Sequence, residues 1–252
     1  MLNNKTLIAL ERQNFSRNLF VSLAHFHSLC DIKQEQLIIA RLKQDDNAVK
    51  DIIEQRQIYV ISGILCAVSF LEANINEILD AAKTYIYLPE ARPKLEIFKK
   101  CEISVIENLA AFKDNLSRKL GTLERYQYAL MISNKKPFNN AKAPYQDVDL
   151  IFDLRNLLVH YKPEWIESFA EGNSIEKDMQ KIEKKLRGKF GLSKSIDEMK
   201  PFFPDRCLCY GCIDWVVKSI MIFCDDFFKR MNLVPDFKPS SIININKKGK
   251  II

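Results

Sequence analysis

Apolar residues recur at helical spacing along nearly the whole chain. Over residues 3–30 they fall at Leu7, Leu10, Phe15, Leu19, Leu23, Phe26 and Cys30, one face of a 3.6-residue repeat. Residues 31–44 read as a second, shorter helix, with Asp31 placed to cap its first turn and Leu37, Ile38 and Leu42 inward. Asn47 opens the longest periodic segment, which runs to about Tyr87. Small residues at its centre (Ser62, Gly63, Cys66, Ala67, Ser69, Ala73) let a neighbouring helix approach closely. Its most apolar run, Ile58–Leu71, is shorter than the ~20 residues that span a bilayer, so it reads as a buried core helix.

Pro89 and Pro93 then interrupt the pattern. A third large helix is expected over 94–117, carried by Leu95, Phe98, Ile103, Ile106, Leu109, Phe112 and Leu116. Gly121 marks a break, and 122–132 resumes with Leu123, Tyr126 and Leu130. Residues 134–144 carry no period and two prolines, which makes them a loop. A helix over 146–161 follows. Residues 164–190 are rich in mixed charge with little apolar content, the pattern of a solvated helix standing off the body of the fold, with a basic surface for a phosphate backbone as the alternative. A loop over 191–204 leads to a strong final helix, 205–232, with Ile213, Trp215, Val216, Ile220, Phe223 and Phe227. The resulting layout is an N-terminal helical extension (1–46), a helical bundle (47–234) and an irregular basic tail (235–252).

Composition narrows this to an all-α protein. Only 7 Gly and 9 Pro occur in 252 residues, too few turn residues for an all-β fold. The 47% hydrophobic content supplies a real core. A net charge of +6 is compatible with a polyanionic partner and does not require one. The 7 cysteines follow no repeat and no secretory pattern precedes them, so the expected setting is the cytoplasm with reduced thiols and no membrane. Cys207, Cys209 and Cys212 invite a zinc reading, but no fourth ligand lies near them in sequence. They fit a helical apolar face instead, and no metal or cofactor is expected. His25 and His27, two positions apart on a helix, diverge by about 200° and cannot share one metal.

Candidate chemistry is concentrated in residues 147–165, within Arg155-Asn156-Leu157-Leu158-Val159-His160. Pro163 disfavours helical geometry at Lys162, so the helix should end near His160–Tyr161. Arginine offers a permanently charged fork of donors matched to phosphate oxygens. Histidine moves protons near neutrality. Asn156 can hold a hydroxyl or fix the histidine tautomer. Together these groups suit cleavage of RNA without metal, because the 2′-OH is a built-in nucleophile. One geometric condition stands in the way: five positions on an ideal helix separate Arg155 and His160 by about 140°. On spacing alone, a structural role is the better reading, with Arg155 paired to Glu72 and His160 capping its helix. Glu72 and Asn76, i and i+4 at the edge of an apolar stretch, are either a polar clamp to a neighbouring helix or supports for that arginine.

Arg155-Asn156-x3-His160 near a helix end in an all-α chain resembles the Arg-x4–6-His motif of the HEPN superfamily. Phe70–Leu79 resembles the first core helix of HEPN proteins, and the helix containing Trp215 their last. The resemblance implies an up-and-down bundle that forms a homodimer, with two such motifs meeting across the two-fold axis. It further implies metal-independent endoribonuclease activity at Arg155 and His160, leaving cyclic phosphate and 5′-hydroxyl ends, in a prokaryotic defence or toxin setting. Asn156 would orient; Tyr161, Lys162, Glu72 and Asn76 are further candidates for contact with RNA. Other members are catalytically silent modules that bind nucleotide, RNA or a partner protein, and that alternative stays open. The toxin branch paired with small nucleotidyltransferases carries a tyrosine two places after the histidine. Here Lys162 holds that place and Tyr161 precedes it, which argues against an adenylylating antitoxin partner.

Overall fold

The computed structural model describes residues 14–115, 119–160, 177–192, 206–235 and 237. These residues form seven α-helices and no strand: α1 Phe15–Leu42, α2 Asp46–Tyr87, α3 Ile103–Asn115, α4 Thr122–Ile132, α5 Tyr145–Val159, α6 Lys177–Leu186 and α7 Tyr210–Met231. The protein is all-α.

The 42-residue α2 is the axis of the fold. At 1.5 Å per residue it is about 63 Å long. The Asp45 carboxylate starts it by accepting from the Ala48 N–H at 3.0 Å. Helix α1 runs antiparallel along it, and α3, α5 and α7 pack on its remaining sides. By length and composition α2 is the one described helix able to cross a membrane, and 50% of its most apolar window is buried inside this fold. The expectation drawn from Ile58–Leu71 alone was too short, because the apolar pattern continues past Glu72 through Ile75, Ile78 and Leu79.

Residues 31–44 are not a separate helix. Helix α1 passes straight through Asp31, because Cys30, Leu37 and Ala40 continue the buried face begun by Phe20, Leu23 and Ala24. Asp31 lies within α1 rather than at its start, close to Tyr210, whose hydroxyl is pushed up to about 12 by burial and by the Asp31 charge. The third large helix is also shorter than expected. Pro89 and Pro93 hold residues Pro89–Lys94 in a 3₁₀ turn, a second such turn spans Glu96–Phe98, and α3 begins only at Ile103.

The charge-rich segment departs furthest from expectation. Helix α6 does not stand off. Ile182 and Leu186, one turn apart, are 6% and 1% exposed, and Phe190 packs on Trp215 with ring centroids 5.7 Å apart. Two apolar residues at i and i+4 suffice to dock a short helix whose remaining faces are charged. Residues 164–176 and 193–204 of those expectations lie outside the described residues, as does most of the tail.

The core is continuous from α1 to α7. Tyr126 of α4 is fully buried edge-on to Phe223 and Phe227. Its hydroxyl donates to the Leu71 carbonyl at 2.9 Å and accepts from the Asn74 amide at 3.0 Å, which satisfies both polar groups inside the core. Phe237, beyond α7, closes one corner against Phe20, Phe70 and Phe228.

Candidate functional site

Helix α5 is anchored by Val148, Leu150, Ile151 and Leu154, all buried. Its C-terminal end is where the polar motif emerges. The helix stops at Val159. His160 is the C-cap, with φ −104° and ψ 23°, and its N–H donates to the Asn156 carbonyl at 2.9 Å. Val159 and His160 are both exposed, as is Asn156, while Arg155 is half-buried.

Asp149, Asp153, Asn156 and His160 follow one another at spacings of four, three and four, so they line one face of α5. Arg155 lies about 140° from His160 around the axis. Its guanidinium sits over the Phe152 ring, 6.0 Å from the centroid. Arg155 and His160 form no side-chain hydrogen bond or ion pair with each other or with any other described residue. One copy of the chain therefore presents the two groups on separate faces of one helix end.

The Asp side of that helix is tied down. Lys185 donates to Asp153 at 2.8 Å and Lys189 to Asp147 at 2.6 Å. Burial, reinforced by the neighbouring Asp153 charge, raises the Asp149 carboxyl above its ordinary pKa, with Lys185 opposing the shift.

The other candidates are dispersed. Asn76 accepts from Arg125 of α4 at 2.8 Å, so its amide oxygen clamps α2 to α4 rather than supporting Arg155. Glu72 is exposed and forms no ion pair with a described residue, so the pairing of Glu72 with Arg155 does not occur. Tyr161 and Lys162 lie outside the described residues.

A second polar cluster was not anticipated. Arg56 of α2 is 0% exposed and donates from Nη1 to Gln34 Oε1 at 2.9 Å. Nearby on α1, His27 is buried with Nε2 3.3 Å from Asp214 Oδ1 and its ring over Tyr210. That contact, aided by Lys218, holds the Asp214 carboxyl below its usual range against the opposing effect of burial. Cys30 Sγ faces the Arg56 carbonyl, and the Cys30, Cys209 and Cys212 thiols lie close enough to feel one another's charge. The three cysteines at the start of α7 thus do have a fourth thiol nearby, contributed by α1. Among the described residues no three His, Cys, Asp or Glu side chains converge as a metal-ligand set. Burial raises the Cys30 thiol to about 12, and Cys209 and Cys212 rise as well, the last mainly through a hydrogen bond with the free thiol of Cys207. Such thiols are unreactive packing groups. The available signal was Arg56 itself, an arginine at a position of α2 whose neighbours at Val60, Gly63 and Ala67 all face the core.

Compared with protein-family models, with curated proteins and with solved structures, the chain matches none of them. The HEPN resemblance therefore rests on the motif and the all-α architecture.

Proposed function

We propose that the protein is a metal-independent endoribonuclease of HEPN type, working as a homodimer. The observation that carries this reading is the exposed helix end holding Asn156 and His160, with half-buried Arg155 beside it and none of the three side chains hydrogen-bonded or ion-paired to the side chain of a described residue. A half-buried arginine and an exposed histidine without hydrogen-bond or ion-pair partners among the described residues are better suited to a ligand than to stability.

In this mechanism Arg155 binds the scissile phosphate and offsets the charge that develops on it. His160 takes the proton from the 2′-OH or returns one to the departing 5′-oxygen. The 2′ oxygen then bonds to phosphorus as the P–O5′ bond breaks, which leaves a 2′,3′-cyclic phosphate and a 5′-hydroxyl. Asn156, one turn before His160 on the same face, orients the ribose or the imidazole. Because Arg155 and His160 of one chain diverge, a second copy completes the site, its histidine meeting the first copy's arginine. A role in prokaryotic defence or as a toxin belongs to the same proposal.

The divergence of the two side chains also favours a second reading, a silent helical dimer that binds nucleotide, RNA or a partner protein. Incubation with total RNA in EDTA separates the two. Cleavage that disappears in both Arg155→Ala and His160→Ala supports the enzyme. Cleavage that survives either change, or an inert wild-type protein, leaves the silent module.

A further inference from the structure

Helix α5 seats Val148, Ile151 and Leu154 in the core. Phe152 lies beside that set, half-buried, with part of its ring packed against the core. It stands three residues before Arg155, so the two side chains are neighbours on the helix surface. The Arg155 guanidinium lies over its ring, 6.0 Å from the centroid. Around the axis Phe152 falls between the two motif residues, about 60° from Arg155 and about 80° from His160.

A guanidinium is planar, and its N–H donors point outward along its edge. A carboxylate holds the group through those donors and occupies them. An aromatic ring attracts its charge and leaves the donors available. Three arginines among the described residues lie over aromatic rings. Arg230, over Phe138, has its donors committed to the Asp226 carboxylate and to the Lys136 and Pro137 carbonyls. Arg92, over Tyr85, donates to the Tyr85 carbonyl. Arg155 has the ring and no hydrogen-bond or ion-pair partner among the described residues.

We infer that Phe152 is a positioning residue for Arg155, restraining the guanidinium through its ring while the donors stay open to an RNA phosphate. The inference rests on the ribonuclease reading and deepens it. The phosphate meets a fork that is ordered in advance, so less freedom is lost on binding.

The test uses the full chain and two readouts. In protein labelled with ¹³C-arginine and free of RNA, the Arg155 side-chain protons should show ring-current shifts that vanish in Phe152→Leu. Binding is followed by anisotropy of a fluorescein-labelled 2′-O-methyl RNA, which lacks the nucleophile and stays uncut. Phe152→Leu keeps an apolar side chain against the core and should weaken binding about 2–5-fold, the equivalent of one exposed cation–π contact. Phe152→Tyr should restore it. In an Arg155→Ala background Phe152→Leu should change nothing further, because its effect passes through the arginine. If the ring-current shifts are absent, or Phe152→Leu weakens binding equally with and without Arg155, the positioning role is wrong. It is also wrong if Phe152→Leu binds like wild type while Arg155→Ala binds weakly, and the ribonuclease reading then survives. If wild type does not bind the RNA, or cuts natural RNA undiminished after Arg155→Ala, that reading fails and this inference falls with it.

Discussion

Arg56 and His27 live under conditions opposite to those of Arg155 and His160. The first two are enclosed between α1, α2 and the start of α7, with Gln34 and Asp214 as partners. The second two stand at an open helix end and bond to no described side chain. The same two residue types therefore do different work. A buried charge needs its partners, and removing one member of such a set is costly. A half-buried arginine and an exposed histidine with no hydrogen-bond or ion-pair partner among the described residues contribute little to folding, which leaves both available to a ligand.

The sharpest way to break this comparison is His160→Ala. RNA cleavage should fall about 10²–10⁴-fold, the usual span for a positioned acid–base group, with no change in melting temperature. A large fall in melting temperature would place His160 among the structural residues after all. The converse change is Arg56→Ala, which leaves a cavity beside the Gln34 amide and should cost about 2–5 kcal/mol in urea unfolding. Arg155→Ala, measured the same way, should stay within about 0.5 kcal/mol of wild type. Next comes Gly63→Ala, because a Cβ there would run into the Ile213 side chain where α2 meets α7. Overpacking of this kind costs about 1–3 kcal/mol, and a smaller loss would show that the seam around His27 and Arg56 yields easily.

The smallest effect concerns pH. Asp214 is held below its ordinary pKa by His27 and Lys218, so it binds fewer protons folded than unfolded. Its contribution to stability is present above the unfolded value of about 4 and is lost as pH falls through the lower folded value. Asp214→Asn should flatten the acid limb of the stability profile in that window. An unchanged limb would remove Asp214 from the buried set.

Periodicity made the long helices legible, because a buried stripe repeated over many turns leaves little ambiguity. Helix α2 starts one residue from where Asn47 placed it, and α4 matches its expected span. Local signals misled where tertiary contacts overrode them. Asp31 has the chemistry of a cap, yet a neighbouring Tyr210 and a continuous apolar face kept α1 intact. Charge density hid Ile182 and Leu186, which sufficed to dock α6. The end of α5 before Pro163 was readable because proline acts locally. The cluster around Arg56 was not, since Gln34, Cys30 and Cys209 reach it from segments distant in sequence.

Phe237 carries one last consequence, for the order of synthesis. Its ring lies 4.8 Å from that of Phe20, near the start of α1. More than two hundred residues separate the two. A nascent chain that has not yet reached residue 237 leaves one side of Phe20, Phe70 and Phe228 without a cover. Until then this corner of the core remains open to chaperones and to unwanted association. Closure of the bundle therefore waits on one of the last described side chains to leave the ribosome.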